Sequence, residues 1–504
     1  MSGSVSATEP LFIIRGELTM DKVKDRLTGF IPYVVIAFLS TGILLRVMAA
    51  NGDELWNYNF ARCVCNGLRP YSDFSMVQTP LSAYLGGLIL MVFGDYYVVY
   101  RLAGVVLMIV AFSLMYKISV RLIRSKSIAF ATVIFSLMLA HSTWIYNYNT
   151  INLVIIFIII RIRIGDSEEK DDKDLKQDIV VGLLLGLTPL LKQTTGLMLM
   201  IANVFLAFVD YKKYGKKLRN VVVRVLVSGV PCLCYIVYLL VSGQLADFID
   251  YTVVGVTTFN HRYTIVRLMS QSFYNAILVL GVLLLIIYTL WRFIKMKEGR
   301  KKRMALHVLV FSTAGSIVAY PLSDLSHFIL AALPFVLCFY CCIDELKLND
   351  KELIVCNTFM GFLILFCIPL LFPSLEDCKM CELKHYELIP IYEAMEDNIK
   401  AVDEFISENE KKGINVLMTS PGACIYMIPL DMYNKNYDML LLGNLGSATV
   451  EDLLNVEPNT IFLMLKDNSN LNEQSHFELV EYILKNYECV GEIRSYDVYR
   501  ATEK

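Results

Sequence analysis

Two adjacent carboxylates, Asp53 and Glu54, follow the first long apolar run of the chain. That run extends from Phe30 to Val47 and is apolar except for three hydroxyl residues and Arg46 near its end. Carboxylates can accept a proton from a reacting group or coordinate a cation through their oxygens. They can equally keep the end of a membrane helix hydrated, so the pair by itself leaves a functional role and a solvated role open.

Ionisable residues also interrupt later apolar stretches. Lys192 stands between the two apolar halves of LGLTPLLKQTTGLMLMI, and an unpaired charge at mid-membrane depth would cost about 2.5–3.5 kcal/mol. Asp324 and His327 lie in the short turn of AYPLSDLSHFILAALPF, where the simplest role of Asp324 is to cap the following helix. We therefore expect all three at the membrane surface, either as helix-end groups or facing a substrate cavity.

Two more loops carry polar and aromatic residues. HSTWIYNYNTINL is either an aromatic belt at the bilayer interface or a surface for sugar stacking. A later loop either decorates the surface or shapes the binding of an acceptor, and its candidates are Asp250, Tyr251, His261, Arg262 and Tyr263.

The composition indicates a polytopic membrane protein. The 504 residues are 56% hydrophobic and 19% charged, with a mean hydropathy of +0.52, whereas soluble domains are about half apolar and about one quarter charged. Membrane lipid is thus the expected surrounding, and no nucleic-acid partner is expected. Eleven apolar runs could span the bilayer: 28–49, 97–120, 128–145, 148–164, 178–191, 196–210, 220–242, 273–295, 305–321, 327–343 and 352–373.

The distribution of Lys and Arg predicts the sidedness of these spans. Every second loop is basic, as in YKKYGKKLR and KMKEGRKKR, and cytoplasmic loops accumulate such residues. The N-terminus is therefore predicted to be cytoplasmic and residues 376–504 to lie outside. The run 79–94 would reverse this alternation as a span, so we interpret it as an interfacial or re-entrant helix within a long first external loop, 50–96.

Residues 376–504 differ in character from the rest. Helical patterns alternate with short β-like runs such as INVLMTS and TIFLMLK. We predict a small extracytoplasmic α/β domain following a membrane domain of residues 1–375. Cys378 and Cys381 form either an incidental pair, a disulfide or part of a metal site.

The order of motifs in the first external loop resembles a known family. DELWNYNFARCVCNGLRPYSDFSMVQTPLSAYLGGLILMVFGDYYVVYRLAG contains an acidic pair, a helix, PYSDF, Pro80, an amphipathic helix and Arg101. This order is similar to that of GT-C class glycosyltransferases, in particular the protein O-mannosyltransferase and lipid A aminoarabinose transferase families. The resemblance extends from about residue 28 to 126. It implies a GT-C fold of about eleven transmembrane helices with interfacial helices in the first external loop.

The resemblance also implies roles for individual residues. Asp53 would be the general base that deprotonates the acceptor, and Glu54 would support it. Arg101 would stabilise the leaving phosphate, unless it is only an interfacial arginine. The aminoarabinose transferases carry a lysine where this chain has Thr79, so Arg69 and Lys192 are candidate substitutes. The possible lining of the substrate cavity is Tyr71, Asp73, Asp324 and His327.

The resulting hypothesis is an inverting glycosyltransferase. Its donor would be a polyprenyl-phosphate-linked sugar, and its acceptor an extracytoplasmic glycan, lipid or protein. No cofactor is certain, although Asp53, Glu54 and Asp324 could hold a divalent metal ion. The alternatives are a transporter or flippase of lipid-linked saccharides, and a non-catalytic assembly subunit.

Overall fold

The architecture is that of a computed structural model, which describes most of the chain. The described residues are 20–48, 52–165, 171–257, 264–320, 322–343, 350–368, 375–419, 422–433, 446–449, 452, 459–466 and 477–501.

The first three quarters of the described chain are helical. In chain order the helices are α1 (Met20–Ser40), α2 (Gly52–Cys65), α3 (Leu81–Phe93), α4 (Tyr97–Leu122), α5 (Lys126–His141), α6 (Tyr148–Ile164), α7 (Asp171–Leu191), α8 (Gln193–Tyr214), α9 (Leu218–Val241), α10 (Leu245–Ile249), α11 (Gly255–Thr257), α12 (Ile265–Gln271), α13 (Phe273–Lys295), α14 (Arg300–Gly315), α15 (Leu325–Cys342) and α16 (Asp350–Cys367). Each apolar run predicted to span the bilayer overlaps one of these helices. By length and composition alone, five helices of the described chain could cross a membrane: α4, α8, α9, α13 and α15.

The burial pattern of the bundle fits a lipid environment. Central helices bury their large side chains, as Phe157 of α6 and Leu337 of α15 do. Outer helices expose apolar side chains, and Phe273 and Ile294 of α13 are 83% and 72% exposed. Lipid tails accept such surfaces at no hydrophobic cost, so the outward apolar residues are those of a membrane protein.

The first long loop, 50–96, contains α2 and α3 packed against each other. A Cβ on Gly86 would lie 2.8 Å from Cβ of Ala61, and one on Gly87 would lie 2.8 Å from Cγ1 of Val64. The two helices therefore approach closely only because these residues are glycines. At 13 residues, α3 is about 20 Å long, too short to span a hydrocarbon core of about 30 Å.

The second long loop, 242–272, packs on the first. It contains α10, a π-helical turn at Asp250–Val254, α11 and α12. Gln244 Nε2 donates to the carbonyl of Pro70 at 3.1 Å and to Ser72 Oγ at 2.7 Å. We call the end of the bundle that carries both long loops and the turns at 142–147, 192 and 322–324 the loop face.

The C-terminal region contains a small sheet with helices. Strands β1 (Cys378–Met380) and β2 (Pro390–Tyr392) pair antiparallel. A four-stranded sheet follows in the order β3-β4-β6-β5, with β3 and β4 parallel and the other pairs antiparallel. Its strands are β3 (Asn415–Met418), β4 (Thr460–Leu465), β5 (Tyr487–Ile493) and β6 (Tyr496–Ala501), and the helices are α17 (Glu393–Glu410), α18 (Cys424–Met427) and α19 (Phe477–Asn486). A sheet with helices agrees with the predicted α/β character, while the boundary after residue 375 stays a prediction.

Candidate active site

Asp53 and Glu54 lie in the first turn of α2 but have different surroundings. Successive residues of a helix point about 100° apart. Glu54 is 1% exposed, whereas Asp53 is only half-buried. The carboxylate pair is therefore divided between two environments.

Glu54 is held in the interior by a hydroxyl and by cations. Tyr97 Oη donates to Glu54 Oε2 at 2.9 Å. Arg101 contacts the same oxygen through Nε at 3.2 Å and Nη2 at 3.1 Å, and Arg46 Nη1 lies 4.0 Å away. A buried carboxylate requires such pairing to offset its lost hydration. These contacts fix the beginning of α2 to the beginning of α4.

Arg101, predicted to bind the donor phosphate, contacts protein groups in this structure. Besides Glu54, its guanidinium donates to the carbonyl of Arg46 and to that of Val47, the latter at 3.3 Å. The residue is 1% exposed. Arg101 thus joins α4 to the end of the first membrane segment, and its contact with a phosphate stays a prediction.

Lys192 lies at the break between α7 and α8, on the loop face. Its backbone is extended, with φ −146° and ψ 115°. The Nζ atom donates to the carbonyl of Val318 at 3.0 Å and lies 5.7 Å from the centre of the Tyr148 ring. Burial lowers the pKa of Lys192 to about 8, although the charges of Asp324 and Asp53 partly oppose this shift. Near neutral pH the side chain is mainly an ammonium.

Asp53 shares an electrostatic environment with Lys192, Asp324 and His327. Burial raises the pKa of Asp53, and the Asp324 charge raises it further, while His327 and Lys192 lower it. Tyr148 also interacts electrostatically with both Asp53 and Asp324. The structure therefore brings together four of the sequence-predicted candidates, from α2, the α7–α8 break and the start of α15.

Asp324 caps α15 and also contacts an imidazole. Its Oδ1 accepts the backbone N–H of His327 at 2.9 Å, and its Oδ2 lies 2.8 Å from His327 Nδ1. Burial raises the pKa of Asp324, but the hydrogen bonds from His327 outweigh it and leave the pKa below 3.8. Asp324 is therefore the N-cap of α15. The same carboxylate also interacts electrostatically with Asp53.

Arg69, Tyr71 and Asp73 lie in the contact between the two long loops. Arg69 Nε is 3.3 Å from Asp73 Oδ2, and the Arg69 side chain is 56% exposed. Tyr71 is fully buried, and its ring centre lies 5.4 Å from that of Phe248. Arg69 and Asp73 pair with each other, and Tyr71 packs between the loops. Phosphate binding by Arg69 and the lining of a substrate cavity by Tyr71 and Asp73 therefore stay predictions.

Two uncharged residues close to the Lys192 region were missed by the sequence analysis. The Gln78 side chain lies beside the Tyr148 hydroxyl, and its backbone carbonyl accepts from Tyr71 Oη at 2.7 Å. Gln193 donates to the backbone carbonyls of Val77 and Thr252. Amide side chains are common on any surface, and their positions carry no local signal in the sequence.

The C-terminal region contacts α2 and the loops around the site. Arg62 of α2 pairs with Asp95 at 3.2 Å and with Asp431 at 2.7 Å. His385 Nε2 lies 2.7 Å from Asp431 Oδ1. In the second long loop, Asp250 accepts the backbone N–H of Ser447. His261, Arg262 and Tyr263, which were expected either to decorate the surface or to shape acceptor binding, lie outside the described residues.

The residues described by the structure do not form a metal-binding cluster of three or more His, Cys, Asp or Glu side chains. Asp53, Glu54 and Asp324, considered for a divalent ion, are therefore not gathered into one such group. All thirteen cysteines are free, including Cys378 and Cys381.

Known proteins resemble this chain in part of the sequence and in the fold. Residues 77–237 match the family described as Dolichyl-phosphate-mannose-protein mannosyltransferase. ArnT from Cupriavidus metallidurans, solved bound to undecaprenyl phosphate, is 14% identical, with a TM-score of 0.54 over 94% of this chain and 98% of that one. The fold is that of the GT-C glycosyltransferases.

A second GT-C structure gives the same result. The Archaeoglobus fulgidus oligosaccharyltransferase, solved in a complex with Zn and sulfate, is 10% identical, with a TM-score of 0.51 over 93% of this chain and 73% of that one. No curated protein matches the sequence. The predicted GT-C fold is thus confirmed, while the count of about eleven transmembrane helices stays a prediction.

Proposed function

We propose that the protein is a glycosyltransferase that moves a sugar from a polyprenyl-phosphate donor to an acceptor on the loop face. The observation that carries this proposal is the shared environment of Asp53 and Lys192 on that face. A carboxylate and an ammonium are the two charges that such a displacement requires, one to accept a proton and one to receive a phosphate.

The donor class is supported by the relatives. ArnT was solved with undecaprenyl phosphate, and the matching family is named for a dolichyl-phosphate sugar. Both are polyprenyl phosphates, whose tail stays in lipid while the sugar reaches the surface. Lys192 is the cation that we assign to the phosphate, because the Arg101 guanidinium is directed at Glu54 and two carbonyls.

In the proposed reaction, an acceptor hydroxyl or amine attacks the anomeric carbon of the donor sugar. Its proton passes to Asp53 while the bond between the anomeric carbon and the phosphate oxygen breaks. The polyprenyl phosphate leaves with the bonding electrons, and its charge is received by Lys192. Attack from the opposite face inverts the anomeric centre.

Asp324 and His327 border the same place. Their hydrogen bond holds the imidazole at the start of α15, and both groups act on the Asp53 carboxylate. We assign them to the wall of the sugar cavity, where they set the basicity of Asp53. Tyr71 and Asp73 shape the cavity indirectly, through the packing of the two long loops.

The loop face is proposed to be external. The basic loops identified in the sequence all follow the opposite ends of the helices, and such loops face the cytoplasm. Reporter fusions at Lys126 and Lys504 test this directly. We expect the first to be inside and the second outside, and the reverse result would contradict the proposed sidedness.

The catalytic proposal is tested without knowing the sugar. A strain lacking the protein is complemented with the wild type or with Asp53→Asn, and its envelope glycans are compared by mass spectrometry. We expect the glycan missing from the deletion strain to return with the wild type only, since losing a general base costs about 10²–10⁴-fold in rate.

The matched control is Asp397→Asn, an identical change on the exposed side of α17. It should restore the glycan fully. Full restoration by Asp53→Asn, with equal protein in the membrane, would reject the general-base role and favour a transporter, which needs no base at this position.

A further inference from the structure

One amide side chain joins the break at Lys192 to both long loops. Gln193, the first residue of α8, donates from Nε2 to the carbonyl of Val77 at 2.9 Å and to that of Thr252 at 3.2 Å. Val77 belongs to the first long loop, and Thr252 to the π-helical turn of the second. Three segments distant in sequence therefore meet at Gln193, directly beside Lys192.

The backbone around Lys192 is tightly constrained on its other side. Its N–H donates to the carbonyl of Thr188 at 3.0 Å, and its own carbonyl accepts from Gly196 at 2.9 Å. A Cβ on Gly196 would lie 2.1 Å from the backbone nitrogen of Pro189, so α8 packs directly on the last turn of α7. The direction of the Lys192 side chain consequently depends on how the first turn of α8 is held.

The loops contacted by Gln193 are themselves ordered around the site. Thr252 is 3% exposed, and π-helical turns are rare and frequently found at functional sites. The residue after Val77 is Gln78, whose side chain lies beside the Tyr148 hydroxyl, and the centre of the Tyr148 ring lies 5.7 Å from Lys192 Nζ. The first long loop therefore adjoins the Tyr148 ring, and both long loops reach the Lys192 break through Gln193.

We propose that Gln193 is a positioning residue for Lys192, because its amide fixes the first turn of α8 against both loops and so directs the ammonium to the donor phosphate. This inference rests on the proposed function, in which Lys192 receives that phosphate. Gln193 itself need not contact the substrate.

Gln244 provides a control for the bridging of the loops. It also joins the second long loop to the first, through the carbonyl of Pro70 and Ser72 Oγ. Among the described residues, the hydrogen bonds of Gln244 do not involve α8 or Lys192. A change at Gln244 therefore loosens the same two loops without acting on the first turn of α8.

The test measures binding of undecaprenyl phosphate to the purified full-length protein in nanodiscs by native mass spectrometry. The variants are Gln193→Leu, Gln244→Leu, Lys192→Met and the double variant Lys192→Met/Gln193→Leu. We expect Gln193→Leu to weaken binding about tenfold, the scale of one or two lost hydrogen bonds. On the Lys192→Met background it should add less than about twofold, because a residue that acts through Lys192 has nothing left to position. Gln244→Leu should stay within about twofold of the wild type.

Several outcomes would overturn the inference. If Gln193→Leu weakens phosphate binding equally in the wild type and on the Lys192→Met background, its effect is structural and independent of Lys192. If Gln244→Leu weakens binding as much as Gln193→Leu does, bridging of the two loops alone explains the effect. If Lys192→Met binds like the wild type, the phosphate assignment itself fails, which separates that failure from this one. If Gln193→Leu does not fold, Gln193→Asn replaces it in the same double-mutant cycle with Lys192→Met. The asparagine keeps the amide but is too short to reach both carbonyls.

Discussion

Arg101 of α4 donates to the carboxylate of Glu54 in α2 across 47 positions of sequence, and both side chains are 1% exposed. The pair fixes the first turn of α2, which also carries Asp53. The placement of the proposed base therefore depends on an ion pair in which the base takes no part.

Removing the carboxylate of Glu54 should destabilise the protein strongly. Glu54→Ala leaves the Arg101 guanidinium buried without its carboxylate, and breaking a buried pair in this way costs about 3–5 kcal/mol. Glu54→Gln keeps an acceptor and should cost less. Unfolding in detergent measures the difference. Glu404→Ala, on the exposed side of α17, is the control, and a Glu54→Ala protein as stable as this control would contradict the structural role of the pair.

Binding of the donor phosphate should decrease above pH 8. The pKa of Lys192 is lowered by burial to about 8, so the ammonium is present below that pH and is lost above it. We expect the affinity for undecaprenyl phosphate to fall up to about tenfold per pH unit in this range. In Lys192→Arg the guanidinium stays charged, so this decrease should disappear. A decrease retained unchanged in Lys192→Arg would show that another group is responsible.

Much of the fold follows from the sequence because it depends on local patterns. Apolar runs long enough to span a bilayer indicated the helices of the bundle, and the basic loops excluded 79–94 as a span, in agreement with the 13 residues of α3. The break at Lys192 was also visible, since a charge between two apolar halves is stable only near a helix end. Alternating patterns after residue 376 predicted a sheet with helices.

The contacts within the site could not be predicted in the same way. Glu54 pairs with Arg101, and Arg62 with Asp431, 369 positions away, because packing of distant elements brings them together. The resemblance implied that Arg101 binds the donor phosphate. Its hydrogen bonds in the structure go to the Glu54 carboxylate and to two backbone carbonyls. Gln193 carried no signal at all, since an uncharged amide at a helix start is ordinary until the loops around it are placed.

Docking of the C-terminal region on α2 should weaken when Asp431 loses its charge. Its carboxylate contacts Arg62, His385 and Lys384. Burial raises its pKa, but the hydrogen bonds from Lys384 and His385 outweigh this effect and hold it at about 2. The stabilisation is therefore present above the unfolded value of about 3.9 and is lost as the pH falls towards 2.

Asp431→Asn should produce the same loosening at neutral pH. Because this carboxylate is nearly half exposed, we expect a modest effect, roughly fivefold faster hydrogen exchange in α18 and around His385. Asp397→Asn is the matched control. Exchange that is unchanged in Asp431→Asn would show that Asp95 alone is sufficient to hold Arg62 and the docked region.

Gly196 should be the least replaceable glycine of the bundle. A Cβ at this position would lie 2.1 Å from the nitrogen and 2.3 Å from the Cα of Pro189. Backbone atoms cannot turn aside as a side chain can, so α8 must move away from α7 and carry Lys192 with it. Overpacking costs about 1–3 kcal/mol where side chains can adjust. We expect Gly196→Ala to lower the free energy of unfolding by the upper end of that range or more, and to weaken binding of undecaprenyl phosphate.

The control is Gly229→Ala in α9, where a Cβ meets no atom of the described chain within 4 Å. This variant should be as stable as the wild type or slightly more so. Equal stability of the two variants would contradict the close packing at the α7–α8 break on which the position of Lys192 depends.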